Sequence, residues 1–257
     1  MSRPLLELNA VSKNFGGVQA LSRISVEIPA GIVMGLIGPN GAGKTTLFNV
    51  ITGAYMPDNG SVTFEGTSLK GRKMHEIVGA GIARTFQNVE LFESMTVLEN
   101  VMVGCHVRTR SGFWGAVTRL PWIKREEREI RKEAMELLAF VGLGDHADRM
   151  SGDLPFGWQR LLEIARALAG RPRMLLLDEP AAGLNAVETQ QLGELILKIR
   201  ERGVTLILVE HDMSLTMTVS DRIVVLDRGV MIAAGTPREI QSDAAVMAAY
   251  LGTARGA

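Results

Sequence analysis

The chain has 257 residues, of which 46% are hydrophobic, so it is long enough for one large domain or two small ones with a substantial core. Its 28 basic residues balance its 28 acidic residues, and this balance disfavours nucleic acid or an anionic membrane surface as a partner. The single cysteine, Cys105, excludes an internal disulfide and suits a reducing compartment, and burial as a small apolar residue is its default interpretation.

The start of the chain carries no recognisable targeting signal. Residues 1–8 read Met-Ser-Arg-Pro-Leu-Leu-Glu-Leu and contain no apolar core of signal-peptide length, and no uninterrupted apolar run approaches a membrane span. We therefore expect a cytosolic protein that reaches a membrane only through a partner.

The first part of the chain predicts an antiparallel sheet. Residues 6–11 and 24–28 alternate apolar with polar side chains, as half-buried strands do, and residues 29–31 predict a turn. Phe15 lies between these strands, beside two glycines. Its ring is either a buried anchor for the loop, which the local sequence favours, or an exposed face that stacks on a base.

The whole chain is organised around a phosphate-loop pattern, G-x-x-x-x-G-K-[ST]. Its glycines let backbone N–H groups turn toward an anion, its lysine adds a positive charge at the outer phosphates of a nucleotide, and its threonine hydroxyl can ligate Mg²⁺. A buried strand over residues 33–37 precedes it, and Thr46 opens a helix whose N-terminus favours phosphate. The pattern is met by Gly38, Pro39, Asn40, Gly41, Ala42, Gly43, Lys44 and Thr45.

An amide side chain ends the next apolar stretch, at Gln87. Such an amide can hydrogen-bond a metal-bound water and a neighbouring backbone group, although an ordinary surface residue is the simpler interpretation of Gln87 alone. Residues 97–166 then have a helical pattern. Their charged run, 124–129, precedes an apolar stripe and predicts an amphipathic helix with a solvated face. Trp114 and Trp122 lie at helix breaks, where they either contact a partner or pack in the core.

Two further buried strands end in polar residues. Residues 174–177 lead to Asp178 and Glu179; an Asp at a strand tip can hold Mg²⁺ through water, and an adjacent Glu can orient or deprotonate an attacking water. A solvated helix start is the alternative for this pair. Residues 204–209 lead to His211 beside the same crevice, although a lone histidine is usually a satisfied polar group. The β-α alternation predicts a parallel sheet, with a closing hairpin over residues 223–232.

These features, in their order along the chain, resemble the nucleotide-binding domain of ATP-binding-cassette (ABC) transporters over nearly the entire sequence. The resemblance implies an α/β fold: a P-loop NTPase (RecA-like) core with an N-terminal antiparallel β subdomain and an inserted helical subdomain. It implies ATP and Mg²⁺ as cofactors. It implies that Phe15 stacks on adenine and that His211 senses the γ-phosphate. It implies that Thr45 and Gln87 contact Mg²⁺ and that Asp178 holds Mg²⁺ through water. It also implies that Glu179 activates the hydrolytic water.

The same resemblance sets the expected organisation and partners. A single ABC ATPase domain is expected, with its core formed by residues 1–87 and 160–257 and its helical subdomain by residues 88–159. Its expected partners are a second ATPase subunit, integral-membrane permease subunits and, indirectly, a solute-binding protein, with no nucleic acid. The expected location is the cytoplasmic face of the inner membrane, where the chain is held by the permease, and the chain alone is expected to be soluble.

A narrower resemblance rests on residues 82–88 and 178–185, and on residues 235–237 followed by 249–252. Together they look like the ATPase of branched-chain amino-acid importers of LivG type. Relatives that serve urea, amides or other hydrophobic amino acids have similar stretches, so the transported molecule stays open and its choice belongs to other subunits.

One stretch departs from the family pattern. The L-S-G-G-Q signature aligns with residues 154–158, Leu-Pro-Phe-Gly-Trp, and only Leu154 and Gly157 are unchanged. In the family the signature contacts ATP held by the opposite subunit, which implies a nucleotide contact for Gly157. Pro155 lacks the hydroxyl and the N–H of a serine, yet it fits the first turn of a helix whose dipole can face phosphate. We therefore expect a heterodimer, in which Pro155 faces only one of the two nucleotides.

Two other classes of function compete with transport. A soluble ABC protein that acts on DNA or ribosomes is expected to have coiled-coil arms, a second cassette or basic extensions, and this sequence shows none of them. A P-loop kinase is expected to lack the signature helix and the switch histidine, and it would transfer phosphate to a substrate instead of releasing it.

Overall fold

The computed structural model describes residues 3–85, 87, 89–106, 121–211 and 213–253, without the side chains of 121–124 and 251–253. Trp114 and the side chain of Trp122 lie outside the described part of the chain, so the choice between partner contact and core packing stays open for both. The strands are β1 (Leu6–Phe15), β2 (Val18–Ile28), β3 (Val33–Ile37), β4 (Asn59–Phe64), β5 (Thr67–Ser68), β6 (Ile82–Arg84), β7 (Met174–Asp178), β8 (Thr205–Val209), β9 (Arg222–Asp227) and β10 (Val230–Gly235).

Helices lie between and after these strands. They are α1 (Lys44–Ile51), α2 (Met74–Gly79), α3 (Val97–Cys105), α4 (Pro121–Phe140), α5 (Phe156–Ala169), α6 (Ala186–Glu201), α7 (Met213–Val219), α8 (Pro237–Ser242) and α9 (Ala244–Thr253). Two short 3₁₀ turns, at Gly144–His146 and Ser151–Asp153, connect α4 to α5. Within the described part of the chain, no helix combines the length and the apolarity that a bilayer crossing requires.

The N-terminal strands form an antiparallel sheet in the order β2-β1-β4-β5. Leu6 lies at its centre, paired with Ile28 on one side and Phe64 on the other, and all three side chains are buried. Alternation of apolar and polar residues along β1 and β2 therefore gives one buried face, as predicted. Phe15 ends β1, so it is a strand residue and does not lie in the loop between the strands as the sequence suggested.

The second sheet has six strands in the order β10-β9-β3-β8-β7-β6. Strands β9, β3, β8, β7 and β6 are parallel, while β10 pairs antiparallel with β9 as the predicted hairpin. Every residue of β3, β7 and β8 is buried. Fully apolar strands are typical of a parallel sheet covered on both faces, and their carboxyl ends meet at one edge. This edge holds the candidate site.

The segment between β6 and β7 is mostly helical, and it shares a core with α6 and α7. In α4 the described side chains of the charged run, 125–129, are exposed or half-buried, whereas Ala134 and Leu138 are fully buried, so the predicted amphipathic helix is confirmed. Cys105 is also buried, at the end of α3. The limits 88–159 for a helical subdomain stay a prediction. Helix α5 continues past residue 159 without a break.

Candidate active site

The loop between β3 and α1 bends sharply, and glycine is required at two of its positions. Gly38 has φ of 153°, and a Cβ there would lie 2.1 Å from the Leu226 carbonyl oxygen. Gly43 has φ of 103° and caps α1; a Cβ there would lie 2.6 Å from the Ala20 carbonyl oxygen. The loop therefore closes tightly against β9 and β2. Such a turn at a helix start presents backbone N–H groups to an anion.

Lys44 is the first residue of α1, two residues earlier than the predicted helix start at Thr46, and its side chain is buried in the loop. Its ammonium group donates hydrogen bonds to the carbonyl oxygens of Gly38 at 2.7 Å and Pro39 at 3.1 Å. Burial lowers the pKa of Lys44, and the nearby carboxylates of Glu179 and Asp178 oppose this shift. A partly desolvated cation thus lies close to two acids at the loop, which is an environment suited to polyanionic phosphate.

Asp178 and Glu179 follow the buried run of β7. Asp178 is 4% exposed and pairs in register with Val209 of β8. Glu179 has a positive φ of 49°, which is uncommon for a residue with a side chain, and its backbone N–H donates to the Val209 carbonyl oxygen at 2.9 Å. Backbone conformations of this kind are concentrated at functional sites because the surrounding structure must enforce them. The turn at Glu179 is thus fixed by the end of the neighbouring strand.

The structure brings Glu179 together with Gln87 and His211. Gln87 Nε2 donates to one carboxylate oxygen of Glu179, Oε2, at 3.0 Å, and His211 Nε2 lies 2.9 Å from the other, Oε1. Three residues far apart in sequence therefore meet at one carboxylate. Gln87 is exposed, in keeping with its interpretation as a surface residue, but its amide is bonded to a carboxylate. The interpretation of Asp178-Glu179 as a solvated helix start is wrong, because Asp178 is the buried last residue of β7. The catalytic roles stay predictions.

Phe15 is 40% exposed, which excludes the buried anchor that its local sequence favoured. Its ring meets Tyr55 edge-on, with centroids 5.1 Å apart, and the Lys13 ammonium lies 5.4 Å from its centroid. The other strand of its hairpin, β2, carries Ala20, whose carbonyl oxygen lies close to Gly43 of the phosphate loop. An aromatic face is thus available on the β2 side of the loop, as base stacking requires.

The signature stretch lies at the start of α5. Pro155 is the N-cap residue, so it precedes the first turn and does not occupy it as predicted. Its carbonyl oxygen accepts hydrogen bonds from the backbone N–H groups of Trp158 and Gln159. Gly157 is buried, and a Cβ there would lie 2.7 Å from Glu188 Oε1 at the start of α6. The closest neighbour of Gly157 is thus on α6 and not on the phosphate loop of the same chain.

Sequence reasoning missed three polar residues that hold this site together. Arg84 Nη2 donates to Asp178 Oδ2 at 2.7 Å, and Arg160 Nη2 donates to the Gln87 carbonyl oxygen at 2.9 Å. Glu210 Oε1 accepts from the Ala181 N–H at 2.6 Å. Arg84 and Glu210 follow the rule that identified Asp178, because each is a polar residue at the end of a buried strand. Arg160 gave no such signal, since a charged residue in an amphipathic helix normally faces solvent.

Tyr250 belongs to α9 and to the last stretch of the narrower resemblance. Its hydroxyl is hydrogen-bonded to the backbone of Gly38, and burial raises the pKa of Tyr250 while this bond opposes the shift. The ring packs against a small core that includes Ile37 and Val225. The last described helix therefore contacts the first glycine of the phosphate loop.

Comparison with known proteins decides the family. The sequence model described as "ABC transporter" matches residues 21–182, which include the phosphate loop, Gln87 and Glu179. The chain belongs to the ABC transporter family. A second model, described as "Branched-chain amino acid ATP-binding cassette transporter", matches residues 230–255 of this ABC protein.

Individual relatives cover the ABC chain from end to end. It is 46% identical to the high-affinity branched-chain amino acid transport ATP-binding protein BraF of Pseudomonas aeruginosa, over 99% of this chain and 100% of the relative. It is 44% identical to the LivG protein of Salmonella typhimurium, with the same coverage. A crystal structure of the ADP conformation of an ATP-binding cassette superimposes with a TM-score of 0.85 at 33% identity, over 98% of this chain and 100% of that one.

These similarities confirm the predicted fold class, a P-loop NTPase core with an antiparallel β sheet. They also confirm nucleotide as the ligand class and ATP hydrolysis as the activity of this ABC subunit.

Proposed function

We propose that this ABC ATPase powers the import of branched-chain amino acids. The observation that carries the proposal is the end-to-end identity of 46% and 44% with relatives named for that transport. The match of residues 230–255 to the branched-chain family model supports it independently of the ATPase motifs. ATP is supplied in the cytoplasm, so the subunit works at the cytoplasmic face of the membrane, attached to permease subunits that select and pass the solute.

Within the site, Mg²⁺ is proposed to accompany ATP, and the donor groups present fit it. Mg²⁺ prefers oxygen ligands and is usually held by one or two protein side chains together with waters and phosphate oxygens. The Asp178 carboxylate, the Thr45 hydroxyl and the Gln87 amide are oxygen donors of this kind, and Thr45 is exposed in the first turn of α1. When bound, the ion would neutralise charge on the outer phosphates.

The side chains supply the remaining chemistry. The loop wraps the phosphates, with backbone N–H groups donated by Gly38, Asn40, Gly41, Ala42 and Gly43, whereas Pro39 shapes the loop but has no N–H to donate. Lys44 exchanges its carbonyl partners for phosphate oxygens, and Thr46 extends the helix N-terminus beneath them. Phe15 stacks on the base. Glu179 takes a proton from the attacking water, and its carboxylate is oriented for this by Gln87 and His211.

A second ATPase subunit completes each site in this proposal. Gly157 and the N-terminus of α5 face the nucleotide of the opposite subunit, and the N-cap of α5 has no side-chain hydrogen bond because it is Pro155. A homodimer would place this altered signature at both nucleotides, whereas a heterodimer places it at one. We therefore favour a heterodimer with a related chain that has an intact signature.

The permease is proposed to contact the cleft beside Gln87. This cleft has a volume of about 430 Å³ and is lined by apolar residues of the β6–α3 connection and α3, with Glu90 and Arg166 at its polar side. Phe92 in this lining is 46% exposed. Movement of a permease segment in the cleft would act on Gln87 indirectly, through the backbone that joins it to Glu90.

The proposal is tested by complementing a strain that lacks the chromosomal copy of this chain. Uptake of labelled leucine, isoleucine and valine is measured with wild type, with Glu179→Gln and with Glu201→Gln. Glu201 is an exposed residue at the end of α6, near the opposite edge of the sheet, so it is a matched control. We expect uptake with wild type and the control, and loss with Glu179→Gln. Uptake of urea or amides, and no uptake of these three amino acids, would overturn the substrate assignment.

A further inference from the structure

A buried arginine links the two parts of the site that are proposed to hold the metal. Arg84 is the last residue of the edge strand β6 and lies beside Leu176 of β7. Its Nη2 donates to Asp178 Oδ2 at 2.7 Å, and its Nη1 donates to Asn49 Oδ1 at 2.6 Å. The side chains of Arg84 and Asp178 are 12% and 5% exposed. One guanidinium therefore bridges a strand end and helix α1.

The bridge reaches the phosphate loop through the geometry of α1. Asn49 follows Thr45 by four residues, so the two side chains lie on one face of the helix, one turn apart. Phe48 of the same helix packs beneath the guanidinium, with its ring centroid 5.5 Å from Arg84 Cζ. Arg84 is thereby fixed on α1 by a hydrogen bond and a ring contact, and on β7 by a charge-assisted hydrogen bond.

We propose that Arg84 is a positioning residue that sets the Asp178 carboxylate against the Thr45 hydroxyl for Mg²⁺. Because Arg84 engages Oδ2 of Asp178, the other oxygen, Oδ1, is the one assigned to the metal-bound water. The planar fork of an arginine suits this task, since it donates in two fixed directions at once, whereas a lysine is a point charge. The inference rests on the proposed roles of Asp178 and Thr45, and it adds Arg84 and Asn49 as the pair that holds them in register.

The test separates metal binding from nucleotide binding. Purified wild type, Arg84→Met, Arg84→Lys and Asn49→Leu are titrated with a fluorescent ATP analogue in EDTA, and then with Mn²⁺ at saturating analogue, with bound Mn²⁺ read by electron paramagnetic resonance. We expect analogue affinity in EDTA to stay within about twofold of wild type for all variants. Half-saturation by Mn²⁺ is expected to rise about tenfold in Arg84→Met. A smaller rise of about threefold is expected in Arg84→Lys and Asn49→Leu, because each keeps only part of the bridge.

Arg173→Met is the matched control. Arg173 precedes β7 at the opposite end of the same strand, and it also joins a carboxylate, that of Glu65, to a backbone carbonyl, that of Ala80. We expect its Mn²⁺ titration to match wild type. If Arg84→Met folds poorly, the Mn²⁺ titration of Arg84→Lys, which keeps the positive charge, decides the question.

The outcomes are distinct. An unchanged Mn²⁺ titration in the Arg84 and Asn49 variants would overturn the positioning role. An equal loss of analogue affinity with and without Mn²⁺ would also overturn it, because a purely structural role predicts that result. Failure of wild type itself to bind the analogue would instead overturn the proposed function.

Discussion

The strand-end region around Glu179 and the signature region around Gly157 differ in how completely one chain can build them. At the strand ends, each carboxylate already has partners from other elements: Arg84 for Asp178, and Gln87 with His211 for Glu179. At the start of α5 the N-cap has no side-chain hydrogen bond, and Gly157 packs against Glu188. The side-chain contacts of the first region are all made within one chain, whereas the second is a helix terminus whose proposed ligand belongs to another subunit.

The strand ends are held by the packing of the parallel sheet. The backbone positions are set by β3, β7 and β8, whose residues are all buried, so displacing the backbone that carries the carboxylates would disturb the packed sheet. Helix α5 is tied to that region by Arg160, which reaches the Gln87 carbonyl.

The largest expected effect comes from Glu179→Gln in the strand-end region. The amide keeps the shape of the side chain but cannot accept a proton from water, so single-turnover hydrolysis is expected to fall about 100- to 10,000-fold while ATP binding is retained. Rapid-quench measurement of phosphate release with excess protein checks this, and Glu201→Gln is again the control. A wild-type single-turnover rate would remove Glu179 from catalysis.

Arg160→Met tests how much the buried arginine that joins α5 to Gln87 contributes to the stability of the fold. Arg160 and Glu163 form a salt bridge at 3.0 Å and are 1% and 2% exposed, so removing the cation leaves a buried carboxylate without this partner. A loss of about 3 kcal/mol in the free energy of unfolding is expected. The double variant Arg160→Met/Glu163→Met is expected to recover at least half of it, because the buried charge is removed as well. Urea unfolding followed by circular dichroism measures both, and a double variant less stable than Arg160→Met would contradict the account.

Site residues that end a buried strand could be predicted from the sequence, whereas residues defined by distant partners could not. A buried strand shows itself as an apolar run, and the polar residue that ends it is conspicuous, so Asp178, Glu179 and His211 could be found without a structure. Arg84 and Arg160 could not be assigned because their partners, Asp178 and Gln87, are 94 and 73 residues away in sequence. Helix boundaries were shifted by one or two residues, at Lys44 and Phe156, since local pattern does not fix where a loop closes into its first hydrogen-bonded turn.

Lys44→Ala tests the phosphate loop and is expected to weaken ATP binding instead of the chemical step. Loss of a charge-assisted interaction with phosphate costs about 1.5 to 3 kcal/mol, which is a rise of about 10- to 150-fold in Kd. Isothermal titration with ATP and Mg²⁺ measures it. Lys198→Ala, an exposed lysine of α6, serves as the control. An ATP affinity equal to that of the control would show that Lys44 does not bind the phosphates.

Tyr250→Phe asks whether the last helix supports the strand-end region. The substitution keeps the ring in its core with Ile37 and removes the hydroxyl that meets the Gly38 backbone. A neutral hydrogen bond contributes about 1 kcal/mol, so ATP Kd is expected to rise about fivefold. Thermal unfolding of the free protein is the control, since unchanged stability shows that the core is intact. Wild-type ATP affinity in a stably folded variant would show that the contact does not support the loop.

The smallest expected effect is in the signature region, where Pro155→Ser restores the family's residue at the N-cap of α5. The backbone there, with φ of −53° and ψ of 148°, is open to serine, and a serine hydroxyl can cap the helix or reach an oxygen of the opposite nucleotide. Pro155→Ala restores the N–H alone, so the pair separates the two groups that proline lacks. We expect steady-state phosphate release by the isolated protein to rise about threefold in Pro155→Ser and less in Pro155→Ala, because Gly157 and the helix dipole already supply part of the interaction. In the assembled transporter the gain is expected to shrink, since a partner with an intact signature already completes one site. If the isolated wild type hydrolyses ATP as fast per site as the assembled transporter, Pro155 is no handicap, and the proposal of two unequal sites in a heterodimer fails.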